Sequence, residues 1–328
     1  MPHDTRPAVG FVGLGHMGGN MAARLLGAGY EVFGTARREP AARWLVEQGL
    51  HWRDTPREVA EATAIVFTSL PDDAVVETVA DGPDGILVGL SAGQVWADTS
   101  TISPRTARAL AARVRSRGAM MLDTPVSGSV PQVRSGSLTI LVGGDAAAYD
   151  RVAPVLRELG TATRIGDNGQ GLVLKLAINV SLGVQMLAFS EGVLLAERAG
   201  IDRTLAVDVM AGSAIGSPML KARAPLIIDP ADDTWFSMRL MRKDIGLALA
   251  TARDEGVALP SAAVADDVLR RAERPRLRRS RHRRPRRGPR AGGSPPGRLS
   301  RGPRPASAAG RGRRPQVPCV EARMIARS

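Results

Sequence analysis

Residues 8–28 read AVGFVGLGHMGGNMAARLLGA. A short apolar run, a glycine-rich turn and a run with apolar residues at helical spacing follow one another without a gap. That order of strand, Gly13-Leu14-Gly15-His16-Met17-Gly18 and helix is what gives a G-x-G-x-x-G pattern its meaning. Gly13 allows the tight turn, Gly15 lets a pyrophosphate approach the backbone, and Gly18 lets the helix pack close on the strand, with the helix N-terminus facing the phosphates. The run 13–18 is therefore expected to hold a dinucleotide. A glycine-rich turn without a ligand is the plainer reading of the motif alone. His16 reads as a loop residue, because no second histidine or cysteine stands at metal-ligand spacing, and no metal site is expected.

Working outward, a second strand over 31–35 ends at Ala36-Arg37-Arg38. An NAD site places Asp or Glu there to bind the ribose 2′-hydroxyl, so two arginines and no carboxylate favour a 2′-phosphate, hence NADP(H) over NAD(H). Strands over 64–69, 95–98, 120–123 and 138–142 alternate with helices from about 73, over 104–117 and over 145–159. The alternation predicts a parallel sheet covered on both faces, with ligands beyond the carboxyl ends of its strands. Leu70-Pro71 and Ser100-Thr101 follow two of those strands. In the stretch 123–129, Ser127 offers a hydroxyl and the backbone around Gly128 can present N–H groups to a carboxylate; by itself it reads as a loop.

Residues 169–199 form the most apolar helical run. Lys175 has Leu172, Val173, Leu174, Leu176, Ala177 and Ile178 around it, so this turn is expected to be buried on every side. Burial of an ammonium pulls its pKa down towards neutrality, which suits a proton donor and acceptor. Asn179 lies one turn on and Gly171 one turn back on the same face, leaving room beside the amine for a small molecule. The plainer alternative is a lysine snorkelling from the first turn of an ordinary helix. Lys175, Asn179, Gln185 and Glu191 make the run too polar for a simple membrane span. Further helices are expected over 203–211, 217–225, 238–255 and from 261 onward.

The formal charge of +13 hides a division. From Arg270 to Ser328 there are 20 Arg against Glu273 and Glu321, a net of +18; the preceding residues carry 25 basic and 30 acidic side chains, a net of −5. The basic excess belongs to the tail. The tail is Arg, Pro, Gly and Ser with no periodicity, which predicts disorder. Cys319 is the single cysteine, so a disulfide framework is excluded. The N-terminus lacks a signal-peptide pattern, and a cytoplasmic protein is expected.

Taken together, GFVGLGHMGGNMA at 10–22, SLPDD at 69–73, DTSTISP at 98–104, DTPVSG at 123–128, GSLTILVGG at 136–144, G-x-G-x-x-x-K-x-x-x-N at 169–179 and RKDI at 242–245 resemble the β-hydroxyacid dehydrogenases. That group includes 3-hydroxyisobutyrate dehydrogenase, tartronate semialdehyde reductase and glyoxylate/succinic semialdehyde reductase. The resemblance spans about 8–268. It implies an α/β Rossmann N-terminal domain over 1–166, then a long connecting helix and an all-α C-terminal domain over 167–269, leaving the tail at 270–328. It implies an NAD(P)-dependent oxidoreductase acting on a small 3-hydroxyacid or semialdehyde acid. Lys175 matches the catalytic lysine, Asn179 the asparagine that orients substrate, and Ser127 and Gly128 the substrate-carboxylate loop. Leu70, Pro71 and Thr101 match cofactor contacts, Thr101 also lying beside the substrate, and Lys243 matches a lysine that reaches cofactor and active site from the second domain. A homodimer or homotetramer is implied. Ser129, Gln132 and Val133 depart from the usual loop, as Ala36 does before Arg37, and these bear on the substrate. Imine reductases share the architecture but commonly lack such a lysine, so Lys175 argues against them.

Two accounts of the tail follow. A shifted reading frame in a GC-rich gene would replace the last helix of the second domain with arginine and proline. Alternatively a selected polybasic tail would bind nucleic acid, making this an inert dehydrogenase fold tethered by 270–328; the tail lacks aromatic stacking residues.

Overall fold

The computed structural model describes residues 6–229 and 237–273. The expected tail from 274 on lies outside the described residues. Nine strands form one sheet: β1 (Val9–Val12), β2 (Val32–Thr35), β3 (His51–Trp52), β4 (Ile65–Thr68), β5 (Val95–Asp98), β6 (Met120–Asp123), β7 (Val126–Ser127), β8 (Leu138–Gly144) and β9 (Gly160–Gly166). Their order is β3-β2-β1-β4-β5-β6-β8-β7, with β9 paired to β8. From β3 to β6 the sheet is parallel, and order reverses at β1. The four-residue strands β1, β2, β4 and β5 are buried throughout, as strands covered on both faces must be.

The expectation of a wholly parallel sheet needs correction. β8 runs antiparallel to β6 and to β7, and β9 follows β8 in parallel. The physical reason is the connection: between β6 and β8 stand only the short strand β7 and a single short helix, Val130–Ser135. That is too little chain for a parallel crossover over the sheet face. The stretch expected as a loop at 123–129 therefore contains a strand, with Ser127 opposite Thr139.

Each face of the sheet has its own core. On one, Val9, Phe11, Phe67 and Leu122 pack with Met21 and Leu25 of the helix His16–Gly27 and with Val152 and Leu156 of the helix Ala146–Leu159. On the other, Val12, Val66 and Trp96 meet Leu110 and Val114 of the helix Pro104–Arg115. The sheet hands the chain to a helix of 29 residues, Gln170–Arg198, here called the central helix. At 1.5 Å per residue it extends about 43 Å. By length and composition alone it passes for a membrane span, against the expectation that its polar residues rule one out, while it packs on β8, β9 and the helices that follow. Around its second half Phe189, Val193 and Leu194 gather Val207, Leu220 and Ile227, from Arg203–Gly212, Pro218–Arg223 and Pro225–Ile228. Met241 and Ile245 of Met238–Asp254 and Ala265 and Leu269 of Pro260–Glu273 form a second cluster against Val180, Leu182, Val184 and Leu187. The last helix continues past the boundary expected at 269.

Candidate active site

The glycine turn meets the three demands its sequence suggests. Gly13 has φ +99° and a Cβ there would stand 2.5 Å from the Ser69 carbonyl oxygen, while one on Gly18 would stand 2.0 Å from the Gly13 carbonyl oxygen. Both positions admit only glycine. Gly15 has nothing within 4 Å of a built Cβ, so open space lies over the turn. The helix His16–Gly27 starts there with no side chain capping its first N–H groups. Free amides, helix dipole and open space together fit a dinucleotide pyrophosphate. His16 is exposed and Met17 half-buried. The Leu14 side chain is core, so this residue can offer a ligand only its backbone. Arg37 and Arg38 sit exposed beyond the end of β2.

Two more turns close the carboxyl edge of the sheet. Leu70 N–H donates to Ser100 Oγ (2.9 Å), and Ser100 N–H donates to Asp98 Oδ1 (3.1 Å). Asp98 Oδ1 also accepts from the Thr68 hydroxyl at 2.6 Å, while Asp98 Oδ2 is buried without a partner among the described residues. Burial raises the Asp98 pKa from 3.8 to about 6. Asp123 ends the adjacent strand β6 and caps the central helix: Gly169 N–H donates to its Oδ1 (2.7 Å) and Leu172 N–H to its Oδ2 (3.1 Å). These two carboxylates are missing from the sequence-level site, and their one signal is that both open a D-T pair at a strand end.

The same contacts explain Gly171. A Cβ there would lie 2.5 Å from the Leu141 carbonyl oxygen and 2.9 Å from Asp123 Oδ2. The space it was expected to leave beside the amine is filled by β8 and Asp123, so Gly171 serves close packing. Burial around Lys175 is likewise one-sided: Lys175 and Leu176 are buried, whereas Leu174 is 37 % exposed and Ala177 is exposed. The first turns of the central helix lie against the sheet on one side only, which leaves their other face uncovered.

Lys175 itself is 9 % exposed. Its Nζ donates to Asn179 Oδ1 (3.0 Å), and Asn179 Nδ2 donates to Asp244 Oδ2 (2.5 Å). Only this orientation of the amide presents an acceptor to the amine and a donor to the carboxylate. Lys243 Nζ lies 3.0 Å from Asp244 Oδ1, an ion pair rather than an aligned hydrogen bond, and donates to the Thr101 carbonyl oxygen. A lysine of the second domain thus holds the turn after β5. Burial pulls the Lys175 pKa from 10.5 to about 8, with Asp244 opposing and Lys243 and Arg223 assisting. Asp244 is raised by its own burial, against the pull of the two lysines and Asn179. The sequence marks Lys243 but gives Asp244 no role, although it completes RKDI.

Lys175, Asn179, Lys243 and Thr101 are brought together as the resemblance implies. Ser127 and Gly128 stand one strand away, since β7 pairs with β8 and the β8 backbone abuts Gly171. Gly128 has φ +133°, a conformation side-chain-bearing residues avoid. The departures Ser129 and Gln132 turn out to be one device. Ser129 N–H and Oγ both reach Gln132 Oε1, at 2.9 and 2.8 Å, capping the helix Val130–Ser135. Leu70 and Pro71 lie at the end of β4, Leu70 half-buried and Pro71 exposed.

The chain is similar to known proteins along most of its described length. A family model described as the NAD binding domain of 6-phosphogluconate dehydrogenase matches residues 8–167. A second, described as the NAD-binding domain of NADP-dependent 3-hydroxyisobutyrate dehydrogenase, matches residues 169–284. A 3-hydroxyisobutyrate dehydrogenase of Pseudomonas aeruginosa is 37 % identical over 269 residues, covering 80 % of this chain and 90 % of that protein. A 2-(hydroxymethyl)glutarate dehydrogenase of Eubacterium barkeri is 34 % identical, covering 80 % and 87 %. The crystal structure of a 3-hydroxyisobutyrate dehydrogenase from Salmonella typhimurium superposes with a TM-score of 0.75 at 30 % identity, covering 81 % and 93 %. With that fold, a dinucleotide cradle and a buried lysine relay, the chain belongs to the β-hydroxyacid dehydrogenases, NAD(P)-dependent oxidoreductases of hydroxy acids and semialdehydes.

Proposed function

We propose that the protein interconverts a small 3-hydroxyacid and its semialdehyde, with Lys175 as general acid and base. The observation that carries this reading is the buried Lys175–Asn179–Asp244 relay. The nicotinamide supplies or accepts the hydride. During reduction Lys175 Nζ gives a proton to the carbonyl oxygen, and during oxidation it takes one from the hydroxyl. A pKa of about 8 keeps both forms populated near neutral pH. Asn179 fixes the direction of the amine, and Lys243 holds Asp244 and Thr101 so that the two domains present one surface. Ser127 and the backbone at Gly128 receive the substrate carboxylate. Gly13 to Gly18, Leu70, Pro71 and Thr101 border the cofactor, and Arg37 and Arg38 favour NADP(H) through its 2′-phosphate.

The test is turnover of purified protein with NADPH and NADH against a panel of short semialdehyde acids, in the wild type and in Lys175→Met. We expect NADPH to be preferred, and kcat to fall at least about a thousandfold in the variant. Its cofactor affinity should stay within roughly threefold. Equal loss of cofactor binding in a folded variant would remove Lys175 from the chemistry.

Three coarser points complete the reading. Leu195, Leu205 and Val209 are exposed apolar residues of the second domain and support a homodimer or homotetramer. A cytoplasmic location suits the chain's relatives in bacteria. Of the two accounts of the tail we favour the shifted frame over nucleic-acid binding. Arginine codons of the CGN class, read one nucleotide on, become GNC codons for Val, Ala, Asp or Gly, so an arginine run in one frame is an ordinary sequence in the next. Resequencing the gene and weighing the intact protein decide the point.

A further inference from the structure

Asp72, Ser103, Asp145, Asp202, Ser217 and Ser237 each cap the helix they open, accepting one of its first N–H groups. The central helix is held differently. It starts at Gly169, with φ +89°, where a Cβ would stand 2.9 Å from Arg108 Nε and 3.1 Å from the Pro104 carbonyl oxygen. A capping side chain is excluded there, and the cap comes from 46 residues away in sequence. Asp123, at the end of β6 and 1 % exposed, accepts from Gly169 N–H with one oxygen and from Leu172 N–H with the other. A local cap stabilises a helix wherever it lies. A cap on another element also fixes where the helix lies.

The carboxylate is fitted closely on both sides. A Cβ on Gly143 of β8 would lie 2.5 Å from Asp123 Oδ2, and one on Gly171 of the central helix 2.9 Å from the same oxygen. Strand and helix therefore meet on this group with no side chain between them. Leu172, Lys175 and Asn179 follow on one face of the helix, Lys175 about 4.5 Å further along the axis than Leu172. In the other direction Asp123 opens the loop of Ser127 and Gly128, which is tied along its length. Thr124 N–H donates to the Asp98 carbonyl oxygen (2.7 Å), the Pro125 carbonyl accepts from Leu141 N–H (3.0 Å), and Ser127 pairs with Thr139. One carboxylate thus joins the lysine helix to the loop assigned above to the substrate carboxylate.

We propose that Asp123 is a positioning residue of the reaction: by holding the first turn of the central helix on β6, it sets the separation of Lys175 from the substrate loop, and so the place of the amine at the reacting oxygen. The inference rests on the dehydrogenase reading above. Two charge-assisted bonds from one rigid group suit the task, because a single bond would leave the helix free to pivot.

The experiment compares Asp123→Asn and Asp123→Ser with Val152→Ala, a truncation in the core on the sheet face away from Leu172 that weakens folding without touching this joint. In Asp123→Asn one helix N–H meets an amide nitrogen, and the turn should lift from the strand. Displacement of a reacting group by about 1 Å can cost a hundredfold, so kcat should fall at least about tenfold while NADPH affinity stays within about threefold. Asp123→Ser, whose hydroxyl still accepts from one N–H, should lose less. Lys175 is then read directly. The chain has three lysines, Lys175, Lys221 and Lys243, so a carbon-13 label at Cε gives three signals, and Lys175→Met assigns one of them. The charges acting on Lys175 are those of Asp244, Lys243 and Arg223, and Asp123 is not among them. A lysine carried outward loses burial, so its titration midpoint should rise by about half a pH unit or more in Asp123→Asn. An unchanged kcat, or a midpoint that stays or falls, overturns the proposal. So does the same response in Val152→Ala, or failure of both Asp123 variants to fold while Val152→Ala folds. If the wild type reduces no semialdehyde, the dehydrogenase reading falls by itself, and the Lys175 midpoint alone decides for or against the joint at Asp123.

Discussion

The dinucleotide cradle and the lysine cluster solve different problems of assembly. The cradle is written in one run, Gly13 to Gly18: Gly13 and Gly18 are demanded by atoms of the turns that follow β4 and β1, and Gly15 leaves open space over the turn. The cluster joins Lys175 and Asn179, one helical turn apart, to Lys243 and Asp244 on another helix and to Thr101 in the turn after β5. Steric necessity governs the first and charge balance in a dry setting governs the second. At Gly13 and Gly18 the cradle should therefore fail in folding when filled, and the cluster should fail in its proposed proton chemistry while still folded.

Paired substitutions in the cradle test this most severely. In Gly18→Ala the new methyl would sit 2.0 Å from a backbone oxygen that has no room to retreat, because the Gly13 turn is itself pressed against Ser69. A loss above about 4 kcal/mol is expected, the range reached when a close approach is broken. That corresponds to a melting point lower by roughly 10 °C or more. Gly15→Ala meets nothing within 4 Å, so its melting point should hold within about 2 °C. Its affinity for NADPH should nevertheless drop at least about tenfold, since the methyl occupies the pyrophosphate's approach. Equal melting points for the two variants would show that the contacts at Gly18 do not bind.

The cluster is probed by charge with volume kept. Asp244 raises the Lys175 pKa against the dominant effect of burial, so Asp244→Asn removes a partner of the protonated amine and should move the pKa below about 8. In the proposed mechanism reduction requires the protonated lysine. Its rate should therefore begin to fall at lower pH than in wild type, while oxidation should gain at the acidic end. A drop of about tenfold in kcat at neutral pH accompanies the shift, because Asn179 loses its charged acceptor. An alkaline limb that stays in place, or moves upward, would separate Asp244 from the lysine's titration.

How far the sequence alone reaches follows from the same contrast. The glycine turn, the strands of the parallel half and the long helix are legible because each depends on residues close in the chain. The reversal at β8 is hidden, since Ser127 and Thr139 pair across a short helix that periodicity does not reveal. Gly171 is legible as a small residue beside the lysine, yet its reason lies in Asp123 and Leu141, far away in sequence. Asp244 is an ordinary charged residue in its own helix. It becomes informative only when its neighbours are known.

Asp98 belongs to neither region, and it carries the smallest expected effect. Its carboxyl orders the turns that hold Leu70 and Ser100, yet one oxygen is buried and unpartnered. Because its pKa is raised from 3.8 to about 6, the folded protein binds more protons than the unfolded chain between those values. Stability must then fall as pH rises across that window, by up to about 3 kcal/mol. Asp123, opposite it on β6, is the charged neighbour that adds to this shift. In Asp98→Asn the amide oxygen can still accept from Thr68 and Ser100, and no charge is buried. The amide nitrogen meets no acceptor, at a cost of about 1–3 kcal/mol, so stability near neutral pH should barely change. What should vanish is this residue's share of the slope between about pH 4 and 6, read from denaturant midpoints at each pH. A variant with an unaltered slope would mean that Asp98 stays charged throughout, and that its buried oxygen has found a hydrogen-bond donor.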